Sequence, residues 1–214
     1  MGVTDSALFL ASYAMTIGRL GDVDTVQINV PAANRPHKDL LSYVGWVTAM
    51  MPVRCSIPKS GDVEQLAREL HAQTMKSAEH LPVDFAALNR TGSIRQQQVA
   101  AGAFPKQFVG GMLMPEGILK AVPVAPVLFA SGGEVMDFGV TKVIPVSLPS
   151  PLVLNELELR TYDTGTDFRY IAIYDQTAFS GGEMVEIIRE TFERVAGDDI
   201  NERDGKTIES LALP

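Results

Sequence analysis

Residues 7–20 form a run, ALFLASYAMTIGRL, that is apolar or small on every helical face. A helix with this pattern is typical of a position buried on most sides. Gly21 follows and is expected to end it. The pattern therefore predicts a chain that opens directly with a buried helix, as if it were cut from something longer.

The next segment, residues 23–30, alternates between apolar and polar side chains. The apolar positions are Val26, Ile28 and Val30, and the polar positions are Thr25, Gln27 and Asn29. This period of two predicts a strand whose polar face looks into a channel or into solvent. Residues 31–39 are predicted to form a loop, and residues 43–57 a buried strand interrupted at Pro52.

A second helix is predicted from its N-terminal signal. Asp62 fits the N-cap position and Gln65 stands three residues later, which is the spacing of a capping box. We expect this helix to run to about Glu79 and a short helix to follow Pro82. Residues 91–117 mix glycine, proline and methionine without a sustained period, which predicts a short helix and a long loop.

After Pro123 the pattern changes to strands, at residues 126–131, 140–148, 152–162 and 167–175. The last two flank a turn that contains a glycine, which indicates an antiparallel hairpin. In that hairpin Leu157 and Leu159 are predicted to pair near Tyr170 and Ala172.

Residues 180–197 give the clearest helical signal of the chain. Ser180 and Glu183 form a capping box, and an apolar stripe lies opposite a charged face. No internal repeat or clean linker interrupts the chain. The order of elements therefore predicts one α/β (α+β) domain over residues 1–214, with a mixed sheet flanked by helices.

Charge and cysteine content narrow the environment and the partners. The chain has 18 Lys and Arg against 26 Asp and Glu, which gives a net charge of −8. It therefore lacks the excess of positive charge that binding to nucleic acid or to anionic membranes requires. Cys55 is the single cysteine, and we expect it to be a structural thiol. The longest apolar stretch without a charge, residues 6–18, is too short to span a membrane. A cytoplasmic location is the expectation.

Few residues are candidates for catalytic chemistry. The chain has three histidines, and only His80 stands in a suggestive pattern, HxxxD with Asp84, which two fixed positions produce often by chance. No cluster has metal-ligand spacing, and no glycine pair belongs to a nucleotide-binding loop. These features alone predict no catalytic residue, no metal and no bound cofactor.

The order of motifs nevertheless resembles a known superfamily. Residues 7–35, residues 44–54 (VGWVTAMMPVR), residues 78–88 and the DFG at 137–139 are similar, in that order, to segments of condensation-type acyltransferases of the chloramphenicol acetyltransferase superfamily. The likeness is greatest to polyketide-associated acyltransferases and to condensation domains of nonribosomal peptide synthetases. The structural motif positions that match are Gly45, Pro52, Arg54, Asp137 and Gly139, whereas Ala49 replaces the family's Asn and Val140 departs from DFGWG.

The resemblance implies a two-lobed fold with a tunnel between two similar halves. This chain resembles the second half, and the first half would carry the HHxxxDG motif, which is absent here. The residues expected to line the tunnel, and so to bind substrate, are Gln27, Asn29, Thr48, Ser131 and Gly132.

The resemblance also implies a function. The chain is expected to be the C-terminal lobe of an enzyme that moves an acyl group from an acyl-CoA or phosphopantetheine thioester to a hydroxyl or amine acceptor, and to be inactive alone. Its expected partners are the missing N-terminal lobe and an acyl carrier protein. If that lobe is missing, apolar area on residues 7–20 and 26–30 is expected to stay uncovered and to favour a homodimer. The alternative is a non-catalytic module that docks a carrier protein or a partner lobe.

Overall fold

The computed structural model describes residues 3–32, 34, 37–40, 42–45, 47–81, 108–114, 136–143, 157–163 and 168–196. Three long helices and seven strands lie in these ranges, together with a 3-10 turn at Lys38–Leu40. The helices are α1 (Asp5–Leu20), α2 (Val63–Ala78) and α3 (Gly181–Ala196). The strands are β1 (Thr25–Ala32), β2 (Ala49–Ser56), β3 (Phe108–Met114), β4 (Met136–Phe138), β5 (Thr141–Val143), β6 (Leu157–Asp163) and β7 (Phe168–Tyr174).

Five of the strands form one mixed sheet in the order β2-β1-β3-β6-β7. Strands β1 and β2 are antiparallel, as are β6 and β7, and β3 joins these two pairs by running parallel to both β1 and β6. The short strands β4 and β5 form a separate antiparallel hairpin. The mixed sheet with flanking helices confirms the predicted fold class.

Helix α1 is buried along most of its length, as its apolar pattern predicts. Thr4 caps its N-terminus by accepting a hydrogen bond from the Ala7 N–H at 3.3 Å. The helix contacts both α2 and α3, and the Phe9 ring packs on Phe192 of α3 with centroids 5.9 Å apart. The expectation of uncovered apolar area on this helix was wrong, because α2, α3 and the sheet of the same chain cover it.

The apolar positions of β1 also lie in the core. Val26, Ile28 and Val30 belong to the same buried cluster as the helices. The second segment expected to leave apolar area open is therefore closed as well. Within the described residues no helix is both long and apolar enough to cross a bilayer.

Strand β2 differs from the prediction at Pro52. The strand runs through this proline in unbroken register with β1, with Pro52 opposite Asn29. It is not buried on both sides either, since Met51, Val53 and Cys55 are buried whereas Pro52 and its alternate neighbours are exposed. Strand β2 is an edge strand, and no described strand pairs with its outer side. A proline can be accommodated there because its missing N–H interrupts no hydrogen bond to a further strand.

Helix α2 follows its sequence signals closely. The Asp62 carboxylate accepts a hydrogen bond from the Gln65 N–H at 2.9 Å, which is the predicted capping interaction. The helix ends at Ala78, one residue before the predicted end. Its buried apolar face consists of Leu66, Ala67 and Leu70.

Strand β3 was not predicted, and it stands in the middle of the sheet. The expectation of a short helix and a long loop over residues 91–117 was wrong where Phe108–Met114 form this strand. Its register with β6 shifts between Val109 and Met112, so Gly110 and Gly111 lie in an irregular step. Central parallel strands lack polar alternation, and glycine pairs resemble loops, which explains the error.

The C-terminal hairpin and helix agree with their predictions. The antiparallel hairpin forms as predicted, but its register is shifted: Leu159 pairs with Ala172, Leu157 pairs with Tyr174, and Tyr170 pairs with Thr161. The capping box at the start of α3 is reciprocal. The Ser180 N–H donates to the Glu183 carboxylate at 2.7 Å, and the Glu183 N–H donates to the Ser180 hydroxyl at 3.2 Å. The short helix predicted after Pro82 and the strand predicted at residues 126–131 lie outside the described residues.

Candidate functional site

The two faces of the five-stranded sheet differ in chemistry. One face carries the apolar side chains that join the helices in a single core, among them Val26, Val53 and Leu159. The residues between them in sequence point away from that core. On this second face, which we call the polar face, lie Gln27 and Asn29 of β1, Pro52 and Arg54 of β2, and Glu158 and Arg160 of β6.

Asn29 lies on the polar face between strands β2 and β3. Its backbone pairs with Pro52 on β2 and with Val109 on β3. The residue is only partly buried, but its carboxamide oxygen Oδ1 is buried and accepts no hydrogen bond. A buried acceptor without a donor is unfavourable and uncommon in folded proteins.

Gln27 and Arg54 stand side by side in the next register position. The two residues are directly paired between β1 and β2. Gln27 is partly buried, and Arg54 is exposed and makes no ion pair with any described residue. Among the described residues, the polar face therefore presents a guanidinium without an ion-pair partner beside two side-chain amides.

Glu158 and Arg160 add a charged pair that the sequence reasoning missed. The two side chains lie on the same face of β6 and form an ion pair, in which the Glu158 side chain is the more buried. Glu158 pairs with Val109, which pairs with Asn29. Glu158 therefore stands two strands, or about 10 Å, from Asn29. Alternation in LELRTY was the available signal, but it does not reveal which strand lies alongside.

Thr48 and Gly45 lie in the segment that leads into β2. Thr48 is exposed and immediately precedes Ala49, which pairs with Ala32 at the far end of β1. Gly45 is exposed, and a Cβ placed there would lie 2.5 Å from the Tyr43 ring. This glycine therefore allows Tyr43 to fold back over the backbone.

Asp137 and Gly139 belong to the separate hairpin. Asp137 pairs with Lys142 across β4 and β5, and Gly139 forms the turn with a φ of +76°. That conformation favours glycine, which gives the matched motif position a structural reason. No described pairing connects this hairpin to the polar face, and Ser131 and Gly132 lie outside the described residues.

Neither Cys55 nor any of the three histidines makes a side-chain hydrogen bond to another described residue. Cys55 is buried, and burial raises the pKa of its thiol to about 12, which keeps it protonated and unreactive. His37 lies in a loop, His71 on α2 and His80 in the turn after α2. No group of three or more His, Cys, Asp or Glu in the described ranges has the geometry of a metal site.

Comparisons with known proteins agree on one family. The condensation-domain profile matches residues 1–116, which is more than half of the chain. Among solved structures, the starter condensation domain of rhizomide synthetase RzmA superposes with a TM-score of 0.65 at 15% identity and covers 93% of this chain. PapA2 acyl transferase gives a TM-score of 0.60 at 14% identity and covers 92% of it. The first condensation domain of the CDA synthetase gives 0.56 at 15% identity over 89%.

The solved structures are much longer than this chain. The matched region covers 44% of the RzmA domain, 40% of PapA2 and 38% of the CDA synthetase domain. A search of curated protein sequences gave no match. The profile match and the shared fold agree with the order of motifs in the sequence, and together they show that the chain belongs to the condensation-domain family.

Proposed function

We propose that this chain is the C-terminal lobe of an acyltransferase and forms one wall of its substrate tunnel. The donor is an acyl thioester of CoA or of a carrier protein, and the acceptor is a hydroxyl or an amine. The observation that carries this proposal is the condensation-domain match over residues 1–116. Each solved structure named above extends to more than twice the matched length, which leaves room for a second lobe.

The polar face is the proposed wall of the tunnel. It places Gln27, Asn29 and Arg54 in adjacent register positions on two strands. These side chains supply amide donors and acceptors and a cation, which suit a polar linker such as the one that carries a thioester. Thr48, Ser131 and Gly132 remain in the proposal as predicted lining residues, and the cytoplasm remains the proposed location.

The sequence lacks the HHxxxDG motif, which would supply the general base. Positioned base catalysis contributes about 10²–10⁴-fold to a rate, and the three histidines of this chain lie on separate elements. We therefore expect the chain alone to transfer no acyl group. A partner lobe that carries HHxxxDG would supply the base and the second wall.

The test is reconstitution. The chain is purified alone and in complex with a condensation-type N-terminal lobe, and acyl transfer from an acyl-CoA is followed with hydroxyl and amine acceptors. We expect turnover only in the complex. The matched control is a partner lobe in which the second His of HHxxxDG is replaced by Ala, which should abolish turnover without separating the lobes. An inactive complex of verified stoichiometry would contradict the proposal.

A non-catalytic docking module is the second candidate, and the scattered histidines favour it. In that case the chain binds a carrier protein or a partner lobe, but the complex shows no transfer. The same experiment separates the two functions, because binding and turnover are measured on the same sample.

A further inference from the structure

Strand β2 lies at the edge of the five-stranded sheet, and no described strand pairs with its outer side. An open edge presents a row of unpaired N–H and C=O groups, which is a template for pairing with another chain. Folded proteins protect such edges with proline, with charge or with a covering element. The residues that form the outer row of β2 follow from its register with β1.

One hydrogen bond beyond the end of β2 sets the direction of each backbone group along the strand. In an antiparallel pair, opposite residues alternate between pairs that exchange backbone hydrogen bonds and pairs that do not. The Ile57 N–H donates to the Asp24 carbonyl oxygen at 2.9 Å, and these two residues continue the register of the strand pair by one step. By this alternation the residues that point to β1 are Cys55, Val53 and Met51, and those that point to the outer edge are Ser56, Arg54, Pro52 and Met50.

Pro52 gives the same result by a separate argument. Proline carries no backbone N–H, so its pair with Asn29 cannot be one that exchanges hydrogen bonds. Its nitrogen therefore faces away from β1, which is the orientation in which edge strands accept proline. Pro52 is exposed and lies near the middle of β2, so the outer row lacks one donor near its centre.

Arg54, the next residue of the outer row, adds charge to the same edge. Its side chain is exposed and makes no ion pair with any described residue. Two copies of this edge would bring two guanidinium groups towards each other, and like charges oppose pairing. The edge thus combines a missing donor with a cation two residues away.

We propose that Pro52 closes the outer edge of β2 to strand pairing with a second copy of this chain, and that Arg54 assists it. A strand that adds to this edge needs a donor at every second residue of β2, and the donor is missing at Pro52. The possible ladder is thereby divided into two short pieces, one on each side of the proline. The inference concerns self-association and does not depend on the acyltransferase function proposed above.

The first test restores the missing donor. Pro52→Thr introduces a backbone N–H on a residue type that favours strands. A symmetric pairing of two copies then gains two hydrogen bonds, so we expect the self-association constant to rise by about 5–100-fold, at about 2–10-fold for each bond. Sedimentation equilibrium of the full chain over a range of concentrations measures this constant. A folded variant that associates no more than the parent would overturn the proposal.

Two further variants separate the edge from a general effect of losing a proline. Pro58→Thr is the matched control, because Pro58 lies beyond the end of β2, and this substitution should leave the association of the parent unchanged. The double variant Pro52→Thr with Arg54→Pro moves the missing donor to the next outward position and should return the association to that of the parent. Equal association of the single and the double variant would count against a role for the missing donor.

The melting temperature at low protein concentration shows whether Pro52 serves the edge or the fold. Pro52 is exposed, and its backbone does not exchange hydrogen bonds with β1, so Pro52→Thr is expected to melt close to the parent. A variant that fails to fold would assign Pro52 to the stability of the sheet and would reject the proposal.

Amide hydrogen exchange tests the geometry in the parent chain itself. The N–H groups of Arg54 and Ser56 are expected to exchange faster than those of Val53 and Cys55, because only the latter two point to β1. In the associated Pro52→Thr variant, the Arg54 and Ser56 amides should become protected. Equal protection of the two sets in the parent, or association of the variant without protection of Arg54 and Ser56, would show that the outer edge of β2 is not the surface that Pro52 guards.

Discussion

Tyr13 shows how one side chain can sit in the core without using its polar group. Its ring lies beside Phe9, with centroids 6.4 Å apart, and the residue is fully buried. Burial, and to a smaller extent the charge of Glu158, raises the pKa of Tyr13 well above its ordinary value. The hydroxyl is neutral and makes no hydrogen bond, so it contributes volume but no polar stabilisation.

The first residue-scale prediction concerns this hydroxyl. Tyr13→Phe removes an unpaired buried group, so the free energy of unfolding is expected to stay the same or to rise by up to about 1 kcal/mol. Tyr13→Ala, the matched cavity variant, should lose about 3–5 kcal/mol. Urea denaturation measures both. A loss above about 1 kcal/mol in the Phe variant would mean that the hydroxyl is hydrogen-bonded.

The second residue-scale prediction uses the Cys55 thiol. Its pKa is raised from 9.0 to about 12 by burial, so the unfolded chain releases this proton at a lower pH than the folded chain. The stability from the buried neutral thiol is complete below about pH 9 and falls as the pH rises towards 12. Cys55→Ala should remove this part of the alkaline loss, as measured by denaturation at pH 8 and pH 10.5. An identical pH dependence in the parent and the variant would contradict the assignment.

At the residue scale, the sequence predicted which face of the sheet a side chain lies on better than it predicted which residues that side chain contacts. The alternation in β1 correctly separated Val26 and Ile28 from Gln27 and Asn29, because it depends only on the local backbone. The unpaired oxygen of Asn29 was not predictable, because it depends on which strand lies alongside. The same holds for the ion pair of Glu158 and Arg160 on the polar face.

Helix α3 illustrates the contribution of a local signal at the scale of an element. Its capping box satisfies two backbone N–H groups at once. We expect Ser180→Ala to lower the free energy of unfolding by about 1 kcal/mol. Ser180→Asp, which keeps a capping oxygen, should recover most of that loss. Guanidinium denaturation compares the two, and equal stabilities would show that the cap is not used in solution.

The contact between α1 and α3 combines packing with an ion pair, and we expect packing to dominate. Phe192 packs on Phe9 and is buried, whereas the Arg19 side chain that pairs with Glu190 is half exposed. Phe192→Ala should lower the free energy of unfolding by about 3–5 kcal/mol. Arg19→Gln should cost less than about 1 kcal/mol, and less again in high salt. A larger loss from the Arg19 variant would reverse this ranking.

Elements with strong local signals were predicted, and those defined by their neighbours were not. Helices α1, α2 and α3 carry caps or a continuous apolar pattern, and all three stand where predicted. Strand β3 has neither, since its identity comes from parallel pairing with β1 and β6 and its glycines resemble a loop. Pro52 was predicted to interrupt β2 because the position of β2 at the edge of the sheet, which tolerates a proline, cannot be read from the sequence.

At the scale of the whole molecule, the length of the chain is compatible with a single domain. Because the chain belongs to the condensation-domain family, we propose that this domain is one lobe of a two-lobed enzyme. Among the described residues, the helices of this chain cover the apolar face of the sheet, so this part of the core is closed without a second copy. The polar face is the surface that we propose for the partner lobe and the donor. We therefore expect the reconstituted complex to form without a large change in the core of this chain, as near-ultraviolet circular dichroism can test.

The central position of β3 has a consequence for how the chain folds. Strands β1 and β2, and likewise β6 and β7, pair with partners that lie near them in the sequence, whereas β3 has to meet partners from distant parts of the chain. Pairings over long sequence separations form slowly. Until β3 is inserted, two partial sheets expose unpaired strand edges that can join other copies of the chain. Refolding yield should therefore fall as protein concentration rises, even though the finished core needs no second copy.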